Sequence, residues 1–158
     1  MKDYSKLFMD IAHRTAQESN CVKYQVGAVI IKDNRIILQG YNGTISGFQN
    51  CSDKFTAEEM KDITIRTLHS SWSSAFEVHA EMNIICYAAK KGIPLEDTEM
   101  YCTMEPCNNC LKHAIQAGIK KIVFDKPFID NANLNERKEL LKFIQLEEIF
   151  KPSPDENI

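Results

Sequence analysis

The sequence predicts an α/β sandwich, a single domain in which a mixed five-stranded sheet packs against helices. Helical stripes alternate along the chain with short apolar, β-branched runs, an order typical of parallel strands joined by helices. The first two strands are instead joined by a tight turn, so the sheet is expected to be mixed. A length of 158 residues suits one domain, 1–158, with its own core.

The opening segment supplies one helix and a hairpin. Residues 3–19 carry apolar side chains three and four positions apart, which predicts a helix. Two apolar runs, 26–31 and 35–40, flank the turn-forming pair Asp33-Asn34. This pattern predicts a β-hairpin.

The second half continues the alternation of helices and strands. Its predicted elements are a helix at 80–91 ended by Gly92, a strand at 99–104, a helix at 106–118 opened by Pro106, a strand at 120–125, a helix at 134–146 and an edge strand at 147–151. The tail, 152–158, is expected to be frayed. Residues 41–78 remain as a long connection, with a possible helix at 57–68. Loops of that length are usually functional or tied down internally.

Composition argues against several classes of protein. The net charge is −3 and the sequence pI is about 5.8, which does not favour non-specific binding to nucleic acid. No run of 18 apolar residues occurs and the amino terminus is too polar for a signal peptide, so we expect a cytoplasmic protein without a membrane span. The six cysteines are therefore better interpreted as metal ligands or buried thiols than as disulfides.

Two predicted helices begin with side chains that can bind a metal. One opens with His79-Ala80-Glu81 and the other with the segment from Pro106 to Cys110. Residues three apart share a helix face, so Cys107 and Cys110 can hold one ion. The amino end of a helix also favours the thiolates that zinc requires. One imidazole and two thiolates leave a fourth position open, as in catalytic zinc sites.

Glu81 is the expected proton carrier, because it follows His79 too closely to share the metal but can reach a water beside it. Taken alone, a C-x-x-C pair could equally be two core cysteines, and a single helical His is more often a core residue. The combination of H-A-E, a strand and P-C-x-x-C is much more specific than either motif alone. It matches the signature of zinc nucleobase deaminases, in which one carboxylate acts as base and acid.

Four stretches extend this match over nearly the whole chain. They are QESNCVKYQVGAVI (17–30), GYNGTISGFQNC (40–51), HSSWSSAFEVHAEMN (69–83) and MYCTMEPCNNCLKHAIQAGIKKIV (100–123), and they resemble deoxycytidylate deaminases, notably the phage-encoded type. The resemblance implies a three-layer α/β/α fold of the cytidine-deaminase kind. It also implies hydrolysis of dCMP to dUMP and ammonia, which supplies thymidylate synthesis, in the host cytoplasm if the chain is phage-encoded.

The resemblance further implies substrate contacts. Val26 and the backbone of Ala80 would line the base pocket, and Asn42 would bind the sugar hydroxyl. These enzymes usually carry a Tyr after the fourth strand to stack on the base, where this chain offers Phe124 and Phe128. Phe128 is the predicted base contact, and it can stack but cannot donate a phenol hydrogen bond.

Regulation and a second metal are also implied only by the resemblance. The GYNG segment (Gly40, Tyr41, Asn42 and Gly43) would belong to a site where dCTP with Mg²⁺ activates, and dTTP inhibits, a hexameric enzyme. Taken alone, GYNG is a turn after a strand. A second, structural zinc would be held by Cys21, Cys51, His69 and Glu77 and would tie down residues 41–78, although these four could also be unrelated polar or buried residues.

One motif departs from the family pattern. Met104-Glu105-Pro106-Cys107 reads more like the Leu-Glu-Pro-Cys of tRNA adenosine deaminases and of the riboflavin-pathway deaminase. Two alternatives therefore stay open, a deaminase of another nucleoside or of a tRNA base, and a zinc-stabilised binding module without activity. Glu81 argues against the binding module, because a purely structural site needs no carboxylate beside an open coordination position.

Overall fold

A computed structural model describes residues 1–128 and 131–150. The first half comprises α1 (Ser5–Ala16), β1 (Gly27–Lys32), β2 (Arg35–Tyr41), β3 (Gly43–Thr44), α2 (Cys51–Lys54), a 3-10 turn (Glu59–Lys61), α3 (Ile63–Phe76) and β4 (Glu77–Val78). The second half comprises α4 (Ala80–Lys91), β5 (Glu99–Met104), α5 (Asn108–Gln116), β6 (Lys121–Lys126), a 3-10 turn (Asn131–Asn133), α6 (Leu134–Leu140) and β7 (Gln145–Glu148). The predicted tail, 152–158, lies outside the described residues.

Five strands form the main sheet in the order β2-β1-β5-β6-β7. The β1–β2 hairpin is antiparallel, and β1 also pairs antiparallel with β5. Beyond that junction β5, β6 and β7 are parallel. The predicted α/β fold with a mixed five-stranded sheet is therefore confirmed. A separate two-stranded ribbon joins β3 to β4.

Helices cover both faces of this sheet, which gives three layers. On one face α1 packs its apolar stripe onto alternate strand residues, in a cluster of Phe8, Met9, Ala12, Val29, Ile31, Tyr101, Val123 and Ile149. On the other face α4 and α5 bury Ala80, Ile84, Ala88, Leu111 and Ala114 against Ala28, Ile30, Met100, Cys102 and Ile122. The central strands are thus apolar on both sides, as expected of buried strands.

The contact between α1 and β1 requires a glycine. A Cβ atom at Gly27 would lie 2.2 Å from the carbonyl oxygen of Ala12 and 2.6 Å from the amide nitrogen of Ala16. Both neighbours are backbone atoms that cannot rotate away. Gly27 therefore lets α1 lie directly against the strand that leads into the site.

The long connection 41–78 contains regular secondary structure of its own. It contains the β3–β4 ribbon, the short α2 and the 14-residue α3. The predicted helix at 57–68 is displaced, because the Asp62 side chain accepts a hydrogen bond from the Thr64 amide at 2.7 Å and caps α3 there. Helix α3 then continues to Phe76.

Three further boundaries differ from the predictions. Helix α1 is shorter at both ends than the predicted 3–19. Pro106 precedes α5, because Cys107 has extended backbone angles and is the N-cap residue. Helix α6 ends at Leu140, and the edge strand β7 begins at Gln145 inside the predicted helix. Within the ranges 1–128 and 131–150, no helix is both long and apolar enough to cross a membrane.

Candidate active site

The starts of α4 and α5 bring three metal-binding side chains together. His79 is the N-cap residue of α4 and Cys107 is the N-cap residue of α5. His79 Nδ1 lies 3.6 Å from Cys107 Sγ and 3.4 Å from Cys110 Sγ. All three potential ligand atoms lie within 4.8 Å of one another. The spacing suits a single ion held by one imidazole and two sulfurs.

The electrostatics of this cluster favour a thiolate. A hydrogen bond from the Cys110 thiol, together with one from His79, lowers the pKa of Cys107 to about 4. The hydrogen bond with Cys107 in turn raises the pKa of His79. The Cys110 amide also points at Cys107 Sγ at 3.5 Å, as in a capped helix start. The donor chemistry and the geometry both fit zinc.

Glu81 lies in the first turn of α4, beside the cluster. Its side chain is only 4% exposed, and burial raises the pKa of the carboxyl above its ordinary value. The buried Cys102 thiol donates a hydrogen bond to Glu81 Oε1 at 3.5 Å. A carboxyl whose pKa is raised in this way is suited to take up a proton and to release it again.

A pocket of about 300 Å³ opens over these groups. It is lined by the predicted substrate contacts Val26, Asn42, Ala80 and Phe128, together with His79, Glu81 and Cys107. Phe128 is 40% exposed at the pocket mouth, whereas Ala80 is fully buried. The site residues predicted from separate parts of the sequence thus surround one cavity.

The Asn42 side chain, which lines this pocket, also forms hydrogen bonds with the protein backbone. Its Oδ1 accepts from the Val26 amide at 2.9 Å, and its Nδ2 donates to the Tyr24 carbonyl at 2.8 Å. The Ser19 hydroxyl donates to the Asn42 carbonyl at 2.8 Å. One Nδ2 hydrogen and one Oδ1 lone pair remain for a ligand. Asn42 therefore fixes the strand entry at Val26 and still presents an amide to the cavity.

The second predicted ligand set also comes together. Cys51 Sγ lies 3.3 Å and Cys21 Sγ 3.8 Å from His69 Nε2, and Cys21 Sγ lies 3.6 Å from Glu77 Oε2. The four potential ligand atoms lie within 4.8 Å of one another. Cys21, Cys51 and His69 are buried and Glu77 is partly buried.

Two atoms of this second set have no protein partner. Among the residues that the structure describes, the buried side-chain atoms without a hydrogen bond are His69 Nδ1 and Glu77 Oε1. Burial raises the pKa of Cys51 to about 12 and lowers the pKa of His69. A nearby dication would reverse the thiol preference, since a coordinating thiol is deprotonated outright. An unpaired carboxylate oxygen beside two sulfurs and an imidazole fits a four-ligand zinc site.

The structure explains why the first residue of the GYNG segment, Gly40, is a glycine. A Cβ atom at Gly40 would lie 2.8 Å from Ile84 Cγ1, so this glycine lets β2 approach α4. The Tyr41 carbonyl accepts from Asn83 Nδ2 at 2.8 Å, and the Tyr41 side chain is 39% exposed. A Cβ atom at Gly43 would meet nothing within 4 Å. The regulatory role of this segment stays a prediction.

The sequence reasoning missed several residues of the site. Lys23 is the one Lys or Arg side chain among the described residues that line the pocket. Ser73 on α3 donates a hydrogen bond to Glu77 Oε2. The buried Cys102 thiol contacts Glu81, whereas the Cys86 thiol, one of the six expected to be metal ligands or buried, is exposed. Only the position of Lys23, two residues after the predicted ligand Cys21, could have identified it.

Comparison with known proteins identifies the family. Residues 2–126 match the model of the cytidine and deoxycytidylate deaminase zinc-binding region. The chain belongs to this family. Deoxycytidylate deaminases of Enterobacteria phages T4 and T2 are 38% and 36% identical to it, covering 78% of this chain and 78% and 80% of theirs. The predictions of a deaminase family and of a deaminase enzyme are confirmed.

A solved structure in this family has the same fold. The dCMP deaminase of the cyanophage S-TIM5, in complex with dCMP and dUMP, aligns with a TM-score of 0.72 and 29% identity. The alignment covers 94% of this chain and 99% of the phage protein. Because the family region is named for zinc binding, zinc is the metal expected at the cluster of His79, Cys107 and Cys110.

Proposed function

We propose that this chain hydrolyses dCMP to dUMP and ammonia. The observation that carries the proposal is the buried Glu81 beside the cluster of His79, Cys107 and Cys110, in the lining of a pocket of about 300 Å³. The phage relatives named as deoxycytidylate deaminases, and the complex of the cyanophage enzyme with dCMP and dUMP, support this choice of substrate.

Glu81 is the group that moves protons in this mechanism. His79, Cys107 and Cys110 would hold a zinc ion, which would supply the Lewis acidity that lowers the pKa of water toward neutrality. The Glu81 carboxylate takes a proton from the attacking water, whose oxygen forms a bond to the ring carbon that carries the amine. Glu81 delivers this proton to the ring nitrogen. It then takes the remaining proton from the new hydroxyl group and passes it to the amine, so that the C–O bond becomes a carbonyl, the C–N bond breaks and ammonia leaves. Burial of Glu81 keeps that proton available between the two steps.

The rest of the pocket orients the nucleotide. Phe128 offers an aromatic face to the base. The remaining Nδ2 hydrogen and Oδ1 lone pair of Asn42 can form hydrogen bonds with the sugar. Lys23 supplies a cation for the 5′-phosphate. A phosphate contact of this kind would distinguish dCMP from deoxycytidine, because a charge-assisted hydrogen bond is stronger than a neutral one.

The experiment is a substrate panel on the zinc-loaded protein. Ammonia release from dCMP, dCTP, deoxycytidine and adenosine is measured for the parent chain and for Lys23→Met. We expect dCMP to be the preferred substrate, and Lys23→Met to lower kcat/KM for dCMP about tenfold while deoxycytidine is unaffected. Lys61→Met, which removes an exposed ion pair with Glu58, is the matched control. Preference for adenosine or a free nucleoside in the parent chain would contradict the proposal.

Three finer proposals accompany this function. A second, structural zinc would be held by Cys21, Cys51, His69 and Glu77, supported by the unpaired Glu77 Oε1. dCTP with Mg²⁺ would activate and dTTP would inhibit through the GYNG segment, supported by the open space at Gly43 beside the substrate contact Asn42. The chain would assemble as a hexamer, which light scattering of the purified protein would test directly.

A further inference from the structure

The departure at Met104-Glu105-Pro106-Cys107 has a structural counterpart at Glu105. One carboxylate oxygen of Glu105, Oε1, accepts from Arg137 Nη2 at 2.8 Å, and the other, Oε2, accepts from the Phe128 amide at 3.0 Å. The Glu105 amide also donates to the Lys126 carbonyl at 2.8 Å. Glu105 therefore holds the chain that leaves β6 and leads to Phe128.

The second terminal nitrogen of Arg137, on α6, binds the turn that carries Cys107. Nη1 donates to the Pro106 carbonyl at 3.0 Å and to Asn108 Oδ1 at 2.8 Å. The Arg137 and Glu105 side chains are only 14% and 16% exposed, so the pair is largely withdrawn from solvent. A planar guanidinium can serve several acceptors at once in a fixed geometry, which a lysine ammonium cannot reproduce.

Three segments thus meet at the ion pair of Glu105 and Arg137. They are the turn that carries Cys107, the exit of β6 that carries Phe128, and α6. Two of them contribute to the wall of the pocket, since Glu105, Cys107 and Phe128 all line it. Glu105 therefore ties the turn that carries Cys107 to the segment that carries Phe128, and Arg137 fixes the position of the Glu105 carboxylate.

We propose that Arg137 is a positioning residue that acts through Glu105 to hold Phe128 over the base pocket. The inference rests on the proposed deamination, in which Phe128 stacks on the base. Arg137 does not line the pocket. Its influence is on substrate binding, through the placement of an aromatic face, and the chemistry at Glu81 proceeds at its normal rate once the substrate is bound.

The test is a double-mutant cycle on the zinc-loaded protein, with Arg137→Met, Phe128→Ala and the double variant. We expect Arg137→Met to raise KM for dCMP about tenfold, the size of a well-coupled pair, while kcat changes less than about threefold and zinc content is unchanged. In the Phe128→Ala background the same change should raise KM by less than about twofold. Arg137→Lys should give an intermediate KM, because lysine keeps the positive charge and lacks the planar set of N–H donors of the guanidinium.

A matched control is Arg14→Met, which removes an exposed ion pair with Glu18 and should leave KM unchanged. Should Arg137→Met not fold, Glu105→Gln provides the same test, since an amide of equal size keeps only one accepting oxygen. The proposal would be overturned if the increase in KM of the double variant equals the product of the increases in the two single variants. It would also be overturned by an unchanged KM in Arg137→Met, or by a loss of zinc that accounts for the whole defect.

A second readout does not depend on turnover. Amide hydrogen exchange of a peptide that contains Phe128 should accelerate in Arg137→Met and in Glu105→Gln, because the Phe128 amide loses a fixed acceptor. Unchanged exchange in both variants would overturn the proposal even if dCMP is the substrate. If the parent chain does not deaminate dCMP, the proposed function fails, and the exchange result still reports whether Arg137 holds this segment.

Discussion

Single residues at this site combine a chemical and a structural role. Asn42 presents an amide to the pocket and also holds the Val26 amide and the Tyr24 carbonyl. Cys107 is both a predicted metal ligand and the N-cap residue of α5. Sequence motifs predict the chemical roles, because H-x-E and P-C-x-x-C require particular residue types at particular spacings. The structural roles depend on contacts between distant parts of the chain and could not be predicted.

Glu81 provides the first prediction at this scale. Glu81→Gln should keep its zinc and lose turnover, because the amide has nearly the same shape and cannot exchange a proton. General acid–base groups contribute about 10² to 10⁴-fold to rates, and kcat for dCMP should fall by that amount. The measurement pairs metal analysis with steady-state kinetics, and Glu58→Gln on the surface is the control. A zinc-replete variant with normal turnover would contradict the assignment.

Gly27 provides a second prediction. Gly27→Ala should destabilise the fold by about 1–3 kcal/mol, the usual cost of forcing an extra group into a packed contact, because its Cβ would meet the backbone of α1 at 2.2 Å. Gly43→Ala is the matched control, since nothing lies within 4 Å of a Cβ there. Urea unfolding of both variants measures the difference. Equal stability would show that α1 can shift away from β1 without penalty.

At the scale of elements, a helix could be predicted where its own sequence carries capping residues and a high helix propensity. Helix α4 has the predicted bounds, since Gly92 ends it with the left-handed angle φ of 68° that glycine favours. Helix α3 was misplaced because its serine-rich sequence has weak helix propensity. Trp72 in that helix contacts Phe55 and Phe48, with ring centroids 5.5 and 6.3 Å apart. Those tertiary contacts, and the cap at Asp62, stabilise a helix that composition alone does not favour.

Cys51 tests the proposed metal that anchors α2 and α3. Cys51→Ser should reduce zinc from about two ions per chain to about one, because a structural zinc is released with one ligand removed. The melting temperature should fall by more than about 5 °C, which corresponds to roughly 2 kcal/mol for a domain of this size. Cys86→Ser, at an exposed thiol on α4, should change neither quantity. One zinc in the intact, unchelated parent chain would argue decisively against a second site.

At the scale of the whole molecule, the alternation of elements predicted the layers but not the order of strands. The sheet order β2-β1-β5-β6-β7 places the hairpin beside β5, so that residues 27–32 lie next to residues 99–104. Pairing across such a separation is a non-local contact with no signature in either strand. The candidate site was easier to predict than this topology, because its residues cluster at two helix starts that carry their own motifs.

Regulation is the prediction that belongs to the whole molecule. dCTP with Mg²⁺ should raise activity at low dCMP and dTTP should lower it, with a coupling of about 1–3 kcal/mol between the two sites. Sigmoidal dependence of the rate on dCMP should become hyperbolic with dCTP. Gly43→Leu should lose this response, because a side chain there fills the open space beside Asn42. If the rate responds to neither nucleotide and calorimetry detects no binding, the GYNG segment is only the junction of β2 and β3 and a substrate contact.

The β3–β4 ribbon has a consequence for how the protein is made. Glu77 and His79 stand on either side of Val78, and the two metal-binding sets do not overlap in sequence. Synthesis from the amino terminus therefore completes the set of Cys21, Cys51, His69 and Glu77 before Cys107 and Cys110 have been added. With the proposed second zinc, the earlier thiols would bind their metal during synthesis without competition from the later pair.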